Sequence, residues 1–350
     1  MLLERRRPGI GKLAVALLII VVAGAAGALA YVEFPPATAH SASFMLDFVP
    51  AGFHGLFYYG LDHGLYSASG LDLTILPGSG SLSTISAVAA GKADFGFVDA
   101  GVLAYSAVTA NVSNVRIVAM VFQTIPYAII YNTAKVSKFS DLAGKTMGTT
   151  PGSGGVKVFA VLAKLNGVNF SSITPVYASA ATYNSLVALG RVDFIVGTVN
   201  RFPELQPLAK QNGVTLGEFP FASYGLDLYG NALVTTTSMI QSHPDIVKEF
   251  VEASLESVQD AAKDPAAAVA SVVKYNPQLN YTLSLVDFKA EVAFTLPPAV
   301  NTTSNPLTLG WTDYTRMQFT AEKVLEGYGV GAGFNATSIY TNQFVAEPKG

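Results

Sequence analysis

The 350-residue chain contains no cysteine, which excludes disulfides, thiolate nucleophiles, cysteine metal sites and an acylated lipoprotein tether. Histidine is scarce: His40, His54, His63 and His243 are the only four, none is paired at metal-ligand spacing, and no Gly-x-Ser-x-Gly elbow occurs. Catalysis lacks material, and no cofactor or metal is expected. Charge is also thin, at 13% of residues with a net charge of −3. Residues 1–30 hold four basic residues and one acidic one, so without them the charge becomes −6. Nucleic acid is therefore not an expected partner. Apolar residues at 50% and aromatics at 11% can bury large cores, and the length fits about two domains.

One long apolar run is present. It extends from Leu13 to Val32 behind Arg5, Arg6, Arg7 and Lys12, about 30 Å as a helix and just enough to cross a bilayer. Basic residues ahead of the run predict that the rest of the chain lies outside the cytoplasm. Ala28-Leu-Ala30 also fits a signal-peptidase site, so residues 1–32 read as a signal peptide or a membrane anchor, with the anchor preferred, and 33–43 as a linker. Five Asn-x-Ser/Thr sequons, at Asn111, Asn169, Asn280, Asn301 and Asn335, are glycosylation candidates in such a setting.

From Phe44 onward short apolar strands alternate with helical stretches, the pattern of α/β layers. Met45–Phe48 reads as a strand, Leu56–Tyr66 as a helix and Leu71–Leu76 as a strand. The sequence Val88-Ala-Ala-Gly-Lys-Ala-Asp-Phe95 returns 99 residues later as Val187-Ala-Leu-Gly-Arg-Val-Asp-Phe194. In each copy a helix stops at a glycine able to take positive φ, with a basic residue near its negative end and a buried strand behind it. One supersecondary unit used twice implies two lobes. Arg116–Asn132 reads as a strand, a crossover broken by Gln123 and Pro126, and a second strand; a return crossover fits Tyr224–Thr235. The expected domains are 44–126 with 230–346, and 127–229, joined by two hinge crossings. Farther on, Ser242-x-x-Asp245 with Pro244, then Asp264-Pro265, and then Thr312–Gly327 read as packing helices.

Asp47, Phe48 and His54 follow directly on a buried strand, where open α/β sheets place ligands. Phe48, Phe53, Phe57, Tyr58 and Tyr59 surround His54, which suits a flat heteroaromatic molecule, although Phe57 and Tyr58 also fit a core. Gly148–Gly155 opens a helix, and Gly152, Ser153, Gly154 and Gly155 there form a cradle for a polar group without the Lys-Ser/Thr of a nucleotide loop. Ser79 and Gly80 would match it from the first lobe. Asp99, Gly101, Asn200 and Glu204 lie at or beyond strand ends, and Tyr229 and Asn231 lie on the return crossover.

Seven stretches carry a resemblance: Leu46-Asp-Phe-x-Pro-x-x-x-His54, Gly70–Ile75, Ala90–Gly96, Asp141-Leu-x-Gly-Lys145, Tyr224–Asn231, His243-Pro244 through Asp264-Pro265, and Tyr340-Thr-Asn342. In their order and spacing the chain resembles, over about residues 44–346, the substrate-binding proteins of nitrate/sulfonate/taurine-type ABC importers. The branch is the one that includes thiamine-pyrimidine-precursor binders and the fungal pyrimidine-precursor synthase. The resemblance implies a type II periplasmic-binding fold, a discontinuous first lobe and a ligand in the interlobe cleft. Phe48 stands where the branch often has tryptophan, and His54 matches its histidine. The synthase relatives carry a cysteine-rich motif that this chain lacks.

The expectation is thus an exported or anchored, monomeric solute-binding protein that delivers a heteroaromatic vitamin precursor to an ABC permease and ATPase. A sulfonate, taurine or nitrate binder is the alternative within that class. A pyrimidine-precursor biosynthetic enzyme and a tethered sensor domain are the alternatives outside it.

Overall fold

The computed structural model describes residues 39–151, 153–179, 182–295, 308–331 and 333–347; the apolar run 13–32, Gly152 and the sequon at Asn301 lie outside these. Among the described residues no helix is long and apolar enough to cross a membrane. The strands are β1 (His40–Met45), β2 (Leu71–Leu76), β3 (Phe95–Asp99), β4 (Val115–Met120), β5 (Tyr127–Asn132), β6 (Thr146–Thr149), β7 (Thr174–Tyr177), β8 (Phe194–Thr198), β9 (Leu216–Pro220) and β10 (Asn231–Thr236). Helices α1 (Gly55–Asp62), α2 (Leu65–Ala68), α3 (Ser81–Ala89) and α4 (Ala100–Thr109) accompany the first four strands. Next come α5 (Gly154–Leu165), α6 (Ser185–Ala188) and α7 (Arg201–Gln211). After β10 follow α8 (Thr237–Ser242), α9 (Pro244–Lys263), α10 (Pro265–Tyr275), α11 (Tyr281–Glu291) and α12 (Tyr314–Gly327).

Two five-stranded sheets result, ordered β2-β1-β3-β10-β4 and β7-β6-β8-β5-β9. The fourth strand of each is antiparallel to its neighbours. That strand is the one reached by crossing from the other sheet, so the chain exchanges a strand in each direction. The repeated sequence explains the matching halves. Gly91 and Gly190 end their helices at φ 67° and 65°, where a Cβ is disfavoured. The aspartate three residues on then pins the neighbouring strand. Asp94 Oδ2 accepts from the Ser43 N–H at 2.8 Å and its hydroxyl at 2.7 Å. Asp193 Oδ2 accepts from the Thr146 N–H and hydroxyl, both at 2.8 Å.

Burial of aromatic side chains, each on the order of 1.5–3 kcal/mol, holds the first sheet's core. Phe44 packs edge-on against Phe57 at 5.0 Å, and Phe57 against Phe97 at 4.9 Å. In the second core Phe159 packs edge-on against Phe194 at 5.7 Å. Helix α12 lies against both α4 and α5, with Met317 and Ala321 in one core and Val324 in the other. At the crossings, Arg316 Nη2 donates to Asp227 Oδ1 at 2.7 Å and to Thr124 Oγ1 at 3.1 Å, and the Thr124 hydroxyl also donates to Asp227. Thr124 sits on the first crossover and Asp227 on the second, so one guanidinium ties both to α12.

The boundaries differ from expectation in four places. The first strand is His40–Met45 rather than Met45–Phe48, because its parallel register with β2 runs out at Leu76 and Pro77 has no N–H to extend it. The helix expected over 56–66 breaks at Gly64, which sits at φ 75°. Ser242 ends α8, and His243 occupies the N-cap of α9 with Pro244 following. Between residues 276 and 295, where no element was anticipated, α11 forms behind Asn280, whose side chain accepts from the Leu283 N–H at 3.0 Å.

Candidate functional site

The ends of β1, β3 and β10 from one sheet and of β5 and β8 from the other face a common cleft of about 460 Å³, within the usual size of a small-molecule site. The loop after β1 supplies Asp47 and Phe48, β3 ends in Asp99, and β10 begins with Asn231. From the opposite side come Tyr127, Thr198, Asn200, Arg201 and Glu204. Helix α11 closes one flank with Leu283, Ser284, Asp287 and Glu291.

Asp47 is the organising group. His54 is fully buried, and its Nδ1 accepts from the Ala51 N–H at 2.9 Å. The ring proton therefore sits on Nε2, which lies 2.8 Å from Asp47 Oδ1. Asn231 Nδ2 donates to the other oxygen at 2.9 Å. With both oxygens engaged, the carboxylate is fixed between two elements at the cleft wall.

A second carboxylate, Asp99, caps α4 by accepting from the Val102 N–H at 2.8 Å. Burial pushes its carboxyl up to about 6, against the lowering effect of that N–H. Glu204 pairs with Arg201 at 2.6 Å; burial raises its carboxyl and the guanidinium pulls it back. Asp287 joins the two halves: its Oδ2 accepts from the Phe53 N–H at 3.1 Å and its Oδ1 from the Asn200 amide. Glu291 is raised well above the ordinary carboxyl range by burial and then by the neighbouring carboxylates of Asp287 and Asp47. The apolar walls are Phe53, Phe122 and Tyr127, with Phe48 half exposed at the rim.

Of the residues singled out in the sequence, the cleft gathers Asp47, Phe48, Asp99, Asn200, Glu204 and Asn231. His54 lies behind the wall and reaches the cleft through Asp47. The others are placed elsewhere. Phe57 is fully buried between Phe44 and Phe97, so it is a core residue and cannot stack on a solute. Tyr58 is buried against Tyr275, at 5.6 Å between rings, beside a different depression. Ser79 bonds Ser83 at 2.9 Å and Gly80 precedes α3; the cleft residue of that turn is Ser81, whose hydroxyl accepts from the Asp99 N–H at 3.1 Å. Gly101 allows α12 to approach, since a Cβ there would meet Val324 at 2.5 Å. Tyr229 is buried, its hydroxyl accepting from the Asp313 N–H at 2.9 Å, with Arg316 4.6 Å over its ring.

The glycine loop is likewise set apart. Ser153 caps α5 and lines a second depression of about 340 Å³ with Thr149, Thr150 and Tyr177. A Cβ on Gly154 would meet the Tyr328 hydroxyl at 2.9 Å, and Gly155 lies beside Val196 and Tyr127; Gly152 is outside the described residues. The sequons at Asn111, Asn169, Asn280 and Asn335 are exposed. Reading the sequence missed the α11 contribution altogether. Its one signal was Asn280 after Asn276-Pro277, which also reads as a sequon.

Two sheets with exchanged fourth strands, and a cleft at their facing strand ends, define a periplasmic-binding-protein fold. The chain belongs to the NMT1/THI5-like family, whose model matches residues 52–268, in line with the resemblance read from its motifs. The riboflavin-binding protein RibY of Chloroflexus aurantiacus is similar, at 25% identity over 236 residues, 66% of this chain and 65% of that protein. The chain thus spans just under two thirds of that relative's length. Among solved structures, the periplasmic aliphatic sulphonate binding protein SsuA of Escherichia coli is similar with a TM-score of 0.66 and 12% identity, covering 88% of this chain and 92% of that one. A putative sulfonate ABC transporter's periplasmic sulfonate-binding protein SsuA from Methylobacillus flagellatus gives 0.62 and 15%, covering 88% and 93%. At these identities the structural likenesses carry the fold.

Proposed function

We propose that this chain is an extracytoplasmic solute-binding protein of the ABC-importer type. In this reading residues 44–126 with 230–346 form one lobe and 127–229 the other. They close on a small heteroaromatic solute and present it to a permease, and residues 13–32 serve as anchor or export signal. The observation that carries the reading is the cleft itself, where aromatic walls and fixed hydrogen-bonding groups from both sheets converge. Asp47, held by His54 and Asn231, and Glu204, held by Arg201, present acceptors to ring-edge N–H groups. Phe48 offers a face for stacking. The similarity to a protein named for binding riboflavin supports a vitamin-type solute.

Within the alternative class, a nitrate or simple sulfonate is disfavoured by charge, and so is the sulfonate end of zwitterionic taurine. The lining holds five acidic side chains, Asp47, Asp99, Glu204, Asp287 and Glu291, and one guanidinium, Arg201, which is already paired. An anion entering there meets repulsion in a low-dielectric site. The enzyme alternative finds little support either, since both nitrogens of His54 are engaged and the sequence has no cysteine.

Thermal unfolding of the purified chain with pyrimidines, thiamine, riboflavin, taurine or nitrate tests the assignment. A heteroaromatic at 100 times its dissociation constant adds about 2.7 kcal/mol. Stabilisation by taurine or nitrate alone would contradict it.

A further inference from the structure

We infer that the solute carries a positive charge, an ammonium or amidinium group on or beside its ring, and that Glu291 is its counter-charge. The inference rests on the reading of the cleft as a solute site. Glu291 is the last residue of α11 and only 4% exposed, yet it lines the cleft, and among the described residues no hydrogen bond satisfies its carboxyl group. Every other carboxylate of the lining is engaged: Asp47 by His54 and Asn231, Asp99 by Val102, Glu204 by Arg201, and Asp287 by Phe53 and Asn200. A carboxyl group this enclosed, with no protein partner and only the cleft space in front of it, is best satisfied by what enters the cleft.

The groups facing Glu291 are Asp287 one turn earlier on its own helix, Asp47 on the loop after β1, and Arg201 with Glu204 on α7. Three of these four are acidic and the only cation is committed, so the potential at Glu291 is negative. A neutral solute would bury that potential uncompensated. A cationic one supplies the missing charge, and the rings of Phe53, Phe122 and Tyr127 around it favour a cation as well. We assign the charge to the organic solute. Among the described residues no group of three or more His, Cys, Asp or Glu is arranged to hold a metal ion.

Calorimetric titration of the full chain with benzamidine and its neutral isostere benzamide, alongside thiamine and riboflavin, tests the inference. Benzamidine is expected to bind about tenfold or more tightly than benzamide, the scale of one charged hydrogen bond. Glu291→Gln keeps the shape and one acceptor oxygen, puts an amide donor in place of the other, and removes the charge. It should erase most of that preference and leave the unliganded melting temperature at or above that of the native chain. Equal binding of the isosteres, or a preference that survives Glu291→Gln, overturns the inference. Binding of riboflavin without either cation overturns it while leaving the heteroaromatic reading intact. Heat from none of the aromatics overturns both.

Discussion

Asp99 shows how a single partly buried carboxyl group couples the cleft to pH. It ends β3, caps α4 through the Val102 N–H and lies with Asp47 on the same cleft wall. Its carboxyl rises from 3.8 to about 6, mainly by burial, so the folded state holds the proton more tightly than the unfolded state does. The stability that gives is full below 3.8 and is lost as pH rises through about 6. Asp99→Asn keeps a capping oxygen and cannot ionise. The variant should therefore gain about 2 kcal/mol relative to the native chain between pH 4.5 and pH 7.5, measured by urea unfolding at both. A difference independent of pH would mean that Asp99 does not titrate in that window. The identity of Asp99 as a cleft residue was legible, because a polar residue after a buried strand marks a strand end. The engagement of His54 through Asp47 was not, since only the fold brings Asn231 to the other oxygen.

Among the elements, α11 matters most and was the least legible. Leu283, Leu285, Val286 and Phe288 spread around the helix rather than along one stripe, so the period that reveals amphipathic helices is missing. Its docking depends on Gly52, where a Cβ would stand 2.2 Å from the Ser284 carbonyl oxygen. Gly52→Ala should push α11 off the preceding turn. We expect a loss of about 2 kcal/mol or more in urea unfolding and weaker solute binding, since Ser284, Asp287 and Glu291 move with the helix. Unchanged stability and affinity would show that α11 docks by other contacts. By contrast, the αβ turns at Gly91 and Gly190 could be read directly. Their geometry is set locally, by a left-handed residue that glycine adopts without strain, so the repeated sequence reported it faithfully. The glycine loop at 148–155 misled for the converse reason. A helix start is a local signal, but which cavity it faces is decided by how β6 and α5 sit in the second sheet.

At the scale of the whole molecule, two exchanged strands, the Arg316–Asp227–Thr124 tie at the crossovers and the Asp287–Asn200 contact across the cleft describe two halves that are connected at the crossovers and meet at one flank. An α/β chain with two sheets was legible because hydrophobic runs, the repeated unit and the crossing at Gln123–Pro126 all lie along the sequence. The acidity of the cleft was not, because its five acidic side chains are drawn from four separate segments of chain, with only Asp287 and Glu291 sharing one. Hydrogen–deuterium exchange on the full chain, with and without the heteroaromatic that stabilises it most, tests most directly whether the solute sits between the halves. Slowed exchange is expected together at 47–53, at 127 and 198–204, and along 283–291. Protection confined to one half, or centred on the depression at Thr149–Tyr177, would contradict it.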